Sequence, residues 1–249
     1  MPNKLPFSTV DEVLEGQVLV FDKPLTWTSF DVVNKVRGTL KSVFNLRKIK
    51  VGHAGTLDPL ATGVLVLCTG RKTKTIDLLQ AEEKTYTGTM RLGVTTPSFD
   101  AETEIDSWGD KVIINALTPE VISEKAHILT GDLDQMPPQF SAKKVDGVTA
   151  YNAARKGVKV NLRSKAVQVY SFDIISVTPT LAVDQPVIDA QFLIRCSKGT
   201  YIRALARDLG KALEGGGTLT ELRRTKSGNF SVENACDLQE FISSVKSLA

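Results

Sequence analysis

GHAGTLDPLATG, residues 52–63, places three glycines, a proline, a histidine and a single carboxylate in twelve positions. It follows the basic run KVRGTLKSVFNLRKIK (35–50) and leads into the apolar run GVLVLCTG (63–70). A helix that ends, a glycine-rich loop and a buried strand are the reading this order supports. Asp58-Pro59 alone specifies a turn, because the Asp side chain bonds backbone amides and Pro presets φ. A phosphate cradle would need the Gly-Lys-Ser/Thr ending that is absent here. Glycoside chemistry would need a second carboxylate beside Asp58.

Outward from the loop, period-two and helical patterns interleave irregularly. GQVLVFDKP (16–24) reads as a strand ended by Pro24. TSFDVVNKVRGTL (28–40) reads as a helix with Thr28 and Asp31 as its capping pair. TYTGTMRL (85–92) alternates, with Tyr86, Gly88, Met90 and Leu92 on one face. A helix opens at Thr118-Pro119 and is expected to close at Gly131. Residues 131–165 read as basic loop around a short helix, TAYNAARKG. Strands are expected over 168–179 and 188–197, a Thr200-capped helix over 200–213 broken by GGG at 215–217, and a last helix over 237–248 begun by Asp237 and Glu240. No βαβ rhythm and no GxGxxG follow a strand, so a dinucleotide-binding domain is excluded and an α+β fold is expected.

The chain has 249 residues and a net charge of +3. No apolar run approaches the roughly 18 residues of a membrane span, and MPNKLPFSTV has no secretory h-region, so a cytoplasmic protein is expected. Cys68, Cys196 and Cys236 are far apart and read as reduced, buried thiols. With His53 and His127 the only histidines, no metal site is expected. Charge is unevenly placed. Residues 35–50 carry six basic residues and no acid, and 143–165 carry seven against Asp146 alone. Two such clusters point to a nucleic-acid partner.

The blocks DKPLTWTSFDVVNKVR, VGHAGTLDPLATGVLVLCTGRKTK, KTYTGTMRLGVTTPSFD, DQMPPQFSAKKVDGVTAYNAARKG, CSKGTYIRALARDLG and LRRTKSGNF occur in this order between Val18 and Phe230. Together they closely resemble bacterial tRNA pseudouridine synthases of the TruB type. The resemblance implies a mixed, largely antiparallel sheet flanked by helices and loops. It also implies isomerisation of uridine 55 in the tRNA T-loop without metal or small-molecule cofactor. By match to the family motifs, Asp58 is the catalytic aspartate, Arg203 its cationic partner and Tyr86 the ring that stacks on the target base. His53 is implied to hold flipped-out bases, Leu222 to line the uracil pocket and Asp100 to bond the RNA. The usual family pattern there has a second Thr before the Asp and a Gly after it, where this chain reads PSFDAETE. Lys23-Pro24 is the family's KP motif, a support of the loop grouped with the substrate-binding residues. Lys143 and Lys144 fall in a thumb-like RNA-binding insertion over 131–165, and both basic clusters are expected to grip phosphates. The implied division is a catalytic domain over 1–230 and a short helix over 231–249. About 20 residues there leave no room for the PUA domain many relatives carry. A monomer acting on the tRNA T-arm is expected. The alternatives are a non-catalytic tRNA-folding chaperone on the same scaffold and a synthase acting on another RNA.

Overall fold

The computed structural model describes residues 7–145 and 147–248, with Val145 by its backbone alone. The start of the N-terminal stretch read above and the lone acid Asp146 lie outside these residues. In chain order the elements begin with α1 (Val10–Glu15), β1 (Val18–Lys23), α2 (Ser29–Val43), β2 (Val51–His53), β3 (Ala61–Thr69) and α3 (Ile76–Ala81). Next come β4 (Lys84–Leu92), β5 (Val94–Thr95), β6 (Ser107–Trp108), α4 (Lys111–Ala116), α5 (Pro119–Ile128) and β7 (Gly131–Gln135). Then follow β8 (Lys144–Val145), β9 (Val148–Thr149), α6 (Ala150–Ala154), β10 (Lys165–Ala182) and β11 (Gln185–Cys196). The chain ends with α7 (Ile202–Ala212), β12 (Gly217–Ser227), β13 (Phe230–Ser231) and α8 (Leu238–Lys246).

Two compact units divide this chain, Met1–Thr85 with Arg223–Ala249, and Tyr86–Leu222. In the first, β1 runs antiparallel to β3, from Val18 opposite Cys68 to Lys23 opposite Gly63. β2 pairs with the end of β3. The α2 residues Val32, Val33, Val36 and Leu40 share one stripe and are buried with Phe21, Leu65 and Leu67. Phe241 and Ile242 of α8 belong to the same core, and the Phe241 ring meets Phe21 edge-on at 5.0 Å. A boundary at residue 230 therefore does not describe the packing. The C-terminal helix completes the first unit, because its apolar face has nowhere else to be buried. The Thr28–Asp31 capping box forms as expected.

In the second unit the strand order is β12, β4, β11, β10, β7. β10 is antiparallel to both β11 and β7. β7 corrects the expectation of loop from residue 131. GDLDQ carries one large aliphatic residue and is mostly exposed, so an edge strand left no period-two apolar signal. Gly131, at φ +86°, opens this strand, and α5 has already closed at Leu129. Helix α7 is not capped by Thr200, whose hydroxyl donates instead to Ser197 O, and Tyr201 occupies the cap position. α1, capped by Thr9 and Glu12, carries only one buried residue and went unread in the sequence. The GGG run has a steric reason. A Cβ on Gly217 would lie 2.4 Å from Ala206 O of α7, so helix and strand meet backbone to backbone. Cys68 and Cys196 are buried and Cys236 is half-buried.

The β10–β11 hairpin turns through Val183 and Asp184, at φ +49° and +61°. Both central residues are left-handed, as a two-residue type I′ turn demands, and neither is glycine. A β-branched residue there costs on the order of 1 kcal/mol. Val183→Asn with Asp184→Gly should raise Tm by roughly 2–4 °C in a melting experiment. An unchanged or lower Tm would contradict the turn geometry.

Candidate active site

The loop bearing Asp58 is held by side chains of its own unit. Asp58 O accepts from Ala61 N at 3.0 Å with Pro59 at the second turn position, so residues 58–61 form a β-turn closed by the backbone carbonyl. Ser29, the first residue of α2, clamps the preceding residue: its Oγ accepts from Leu57 N (2.8 Å) and donates to Leu57 O (3.0 Å). Lys23 ends β1 and is fully buried. Its Nζ donates to Pro24 O (2.8 Å), Trp27 O (2.5 Å) and Pro59 O (3.3 Å). Arg224 of β12 is 1% exposed and donates to Gly55 O (3.1 Å), Thr56 O (3.4 Å) and Val64 O (2.7 Å). Gly63, at φ +101°, lets the loop leave beside Arg224, since a Cβ there would stand 2.1 Å from Arg224 O. Arg223 braces the same exit through a two-bond pair with Asp22 (2.6 and 3.0 Å). Asp58 itself is half-buried.

Burial pushes the Lys23 ammonium down to about 8, against the opposing pull of Asp58 and Asp31. Burial first, and Arg224 second, push the His53 imidazole down, so it is neutral at pH 7. His53 Nδ1 is buried and has no hydrogen-bond partner among the described residues. Lys23 thus supports the loop and offers no ammonium to RNA, which corrects its grouping with the substrate-binding residues.

The second unit holds Tyr86, Asp100, Arg203, Leu222 and the two lysines. Tyr86 is 8% exposed on the face of β4 that also buries Met90 and Leu92, as the alternation predicts. Arg203 is 5% exposed in the first turn of α7. It donates to Ser98 O (3.0 Å) and Phe140 O (2.8 Å), and its Nε lies 3.5 Å from Asp100 Oδ2. Asp100, 6% exposed, also accepts from Ser98 Oγ and Glu102 N. It is occupied in fixing Arg203 and its own turn, so an RNA contact through its carboxylate does not fit. Leu222 is half-buried on β12. Lys143 donates to Arg163 O at 3.4 Å, and Lys144 is exposed on β8. The segment around them is tied by Gln139, whose amide both donates to Val160 O and accepts from Val160 N. Sequence reasoning missed Ser29 and Arg224. A buried arginine has no signature that separates it from a surface one, although LRRT contained it. Among the described residues no cluster of three or more His, Cys, Asp or Glu is placed to hold a metal ion, and no helix is long and apolar enough to cross a membrane.

Because the Lys23 proton is held more weakly in the folded than in the unfolded chain, the unfolded state binds more protons between about pH 8 and 10.5. Stability from this group therefore rises with pH across that window. Lys23→Met should destabilise, since three carbonyls lose their donor. The gap in unfolding free energy between wild type and variant should widen from pH 7 to pH 9.5, on the order of 1 kcal/mol. Denaturant titrations at both pH values check it, and a constant gap would contradict the lowered Lys23 value.

Residues 41–202 match the model of the TruB family pseudouridylate synthase N-terminal domain. Residues 203–247 match that of the tRNA pseudouridylate synthase B C-terminal domain. The chain is 48% identical over 239 residues to tRNA pseudouridine synthase B of Flavobacterium johnsoniae, covering 96% of this chain and 100% of that one. It is 46% identical to the protein of that name from Bacteroides thetaiotaomicron over 227 residues, 91% of this chain and 92% of the other. Among solved structures, a Cbf5-Nop10-Gar1 complex superposes with TM-score 0.64 at 28% identity, covering 93% of this chain and 54% of the matched one. A chain of an H/ACA RNP bound to a substrate RNA containing 2'-deoxyuridine shares the fold, at TM-score 0.63 and 24% identity, covering 93% of this chain and 53% of that one. With its mixed, mostly antiparallel architecture and its motifs in register, the chain belongs to the TruB family of pseudouridylate synthases.

Proposed function

We propose that this protein isomerises uridine to pseudouridine in the T-loop of tRNA, at position 55, with Asp58 as the catalytic carboxylate. The observation that carries the assignment is the support of the Asp58 loop. Two buried cations and a buried serine are spent on the backbone of residues 55–59, while the Asp58 side chain stays half-buried. A mere turn needs no such scaffold, since removing a cation from water costs several kcal/mol.

In the isomerisation the N1–C1′ bond breaks, the uracil turns, C5 bonds to C1′, C5 loses its proton and N1 gains one. Product and substrate have the same formula, so no oxidant, reductant or group donor is required. An ionised Asp58 serves as nucleophile towards C1′ or C6, or as base at C2′, and is regenerated. Arg203 is the cationic residue we assign to the reaction, by match to the family motif. Tyr86 is assigned the stacking face for the extruded base, with its hydroxyl available to the C5 proton. Extrusion costs a few kcal/mol, which stacking and phosphate contacts offset. His53, half-buried and with its imidazole pushed down by burial, suits contact with a splayed base, and Leu222 suits the uracil wall. The working form we assign is a cytoplasmic monomer on the tRNA T-arm.

The test is a transcribed T-arm hairpin incubated with protein, digested, and analysed for pseudouridine by nucleoside mass spectrometry. Wild type should convert the target, and Asp58→Asn should slow conversion at least about a thousandfold while keeping its fold and its RNA affinity. Tight binding without product from wild type would favour the chaperone, and product only from another RNA would move the substrate. Full activity in Asp58→Asn would remove the site assignment. Lys143→Ala with Lys144→Ala should weaken hairpin binding and flatten its salt dependence with the melting curve intact. Unaltered affinity and slope would dissociate the thumb segment from RNA.

A further inference from the structure

The first unit carries a second charged feature apart from the Asp58 loop. On α2, Phe30, Asn34, Arg37 and Lys41 recur at intervals of four, three and four, and so share one face. Phe30 is 59% exposed, although large aromatic rings are usually covered. The Arg37 guanidinium carbon lies 5.9 Å from the centre of the Phe30 ring. It is locked there, donating to Asn34 Oδ1 (2.9 Å) and to Val51 O (2.8 Å).

Past α2 the chain reverses at Asn45, φ +49°, and returns over residues 46–50. Ile49 is 6% exposed within the core, and Lys50 O accepts from Gly70 N at 2.9 Å. That anchoring presents Arg47, Lys48 and Lys50 from a fixed backbone, all three exposed. With Arg37 and Lys41 they wall a cavity of about 540 Å³, and none of its lining residues is an acid. Five like charges around one concavity repel each other and lower their free energy by taking up a polyanion. A ring beside a fixed cation is the pairing that stacks an unpaired base while holding its backbone. From Phe30 to Lys41 the face is about 16 Å long at 1.5 Å per residue. Phe30 directly follows Ser29, the residue that clamps Leu57 beside Asp58.

We propose that this face is a docking track for the RNA strand that leads away from the target loop. Phe30 stacks a base, and the cavity walled by Arg37, Lys41, Arg47, Lys48 and Lys50 seats backbone phosphates. The proposal rests on the RNA-isomerase assignment and adds to it a second contact area within the first unit.

Two hairpins with the same loop, one with a full T-arm stem and one with a stem cut to its loop-proximal pairs, test it. Binding is measured over a salt series, and pseudouridine formation in parallel. Arg47→Ala with Lys48→Ala should weaken binding of the long hairpin tenfold or more and reduce the slope of log affinity against log salt by about two. On the short hairpin, wild type and variant should converge. Phe30→Ala should weaken long-hairpin binding about fivefold or more and leave the slope unchanged. Lys111→Ala with Lys246→Ala removes the same charge elsewhere and should change neither. Melting curves confirm that each variant is folded. Wild-type affinity and slope in Arg47→Ala/Lys48→Ala would overturn the track. So would equal weakening on both hairpins, which would assign the cavity to the loop or to a free anion, or equal weakening in the Lys111/Lys246 control. A wild type that binds the long hairpin through this face but forms no pseudouridine would instead overturn the isomerase assignment and leave the track standing.

Discussion

Two buried cations hydrogen-bonded to backbone carbonyls set the geometry of the first unit. Lys23 and Arg224 have almost no exposure, and each is satisfied by carbonyl oxygens, five of the six within residues 24–59 or their immediate neighbours on the loop path and the last from Val64 of β3. A buried charge whose acceptors are withdrawn costs several kcal/mol, far more than a surface bond. The loop therefore cannot drift by an ångström without stranding a cation, and the cations cannot be buried unless the loop is formed. Such mutual dependence holds the half-buried Asp58 carboxylate in one place without burying it.

The second unit uses the same device with different parts. Arg203 is fixed by two carbonyls and by Asp100, and Asp100 is in turn held by Ser98 and by the backbone of Glu102. Phe99, at φ +59°, turns the chain there, and the Arg207 guanidinium covers its ring at 5.3 Å. The candidate residues of each unit are thus held by bonds inside their own unit.

Charge on this protein divides into two kinds by burial. Lys23, Arg203 and Arg224 are inside and build structure. Arg47, Lys48, Lys50 and Lys144 are outside and remain available to phosphates. A modest net charge of +3 conceals this division, because the sum weighs a buried cation and an exposed one alike. Composition suggested nucleic acid through local clusters, and several members of those clusters are exposed.

Local pattern determined a good part of this protein. The α2 stripe with its capping box, the alternation of β4, the apolar β3 and the long strands β10 and β11 were legible, because their periods and caps depend only on near neighbours in the chain. The motif blocks carried the family and the candidate residues Asp58, Tyr86 and Arg203. Tertiary structure alone decided that Lys23 is fully buried on three carbonyls, that Asp100 pairs with Arg203, and that Ser29 and Arg224 brace the Asp58 loop. It also decided that the edge strand β7 exists and that α8 closes the first unit's core. The physical reason is common to all of these. Whether a charge is buried, which carbonyl it meets and which edge a polar strand joins depend on segments tens to hundreds of residues away, and no local period encodes them.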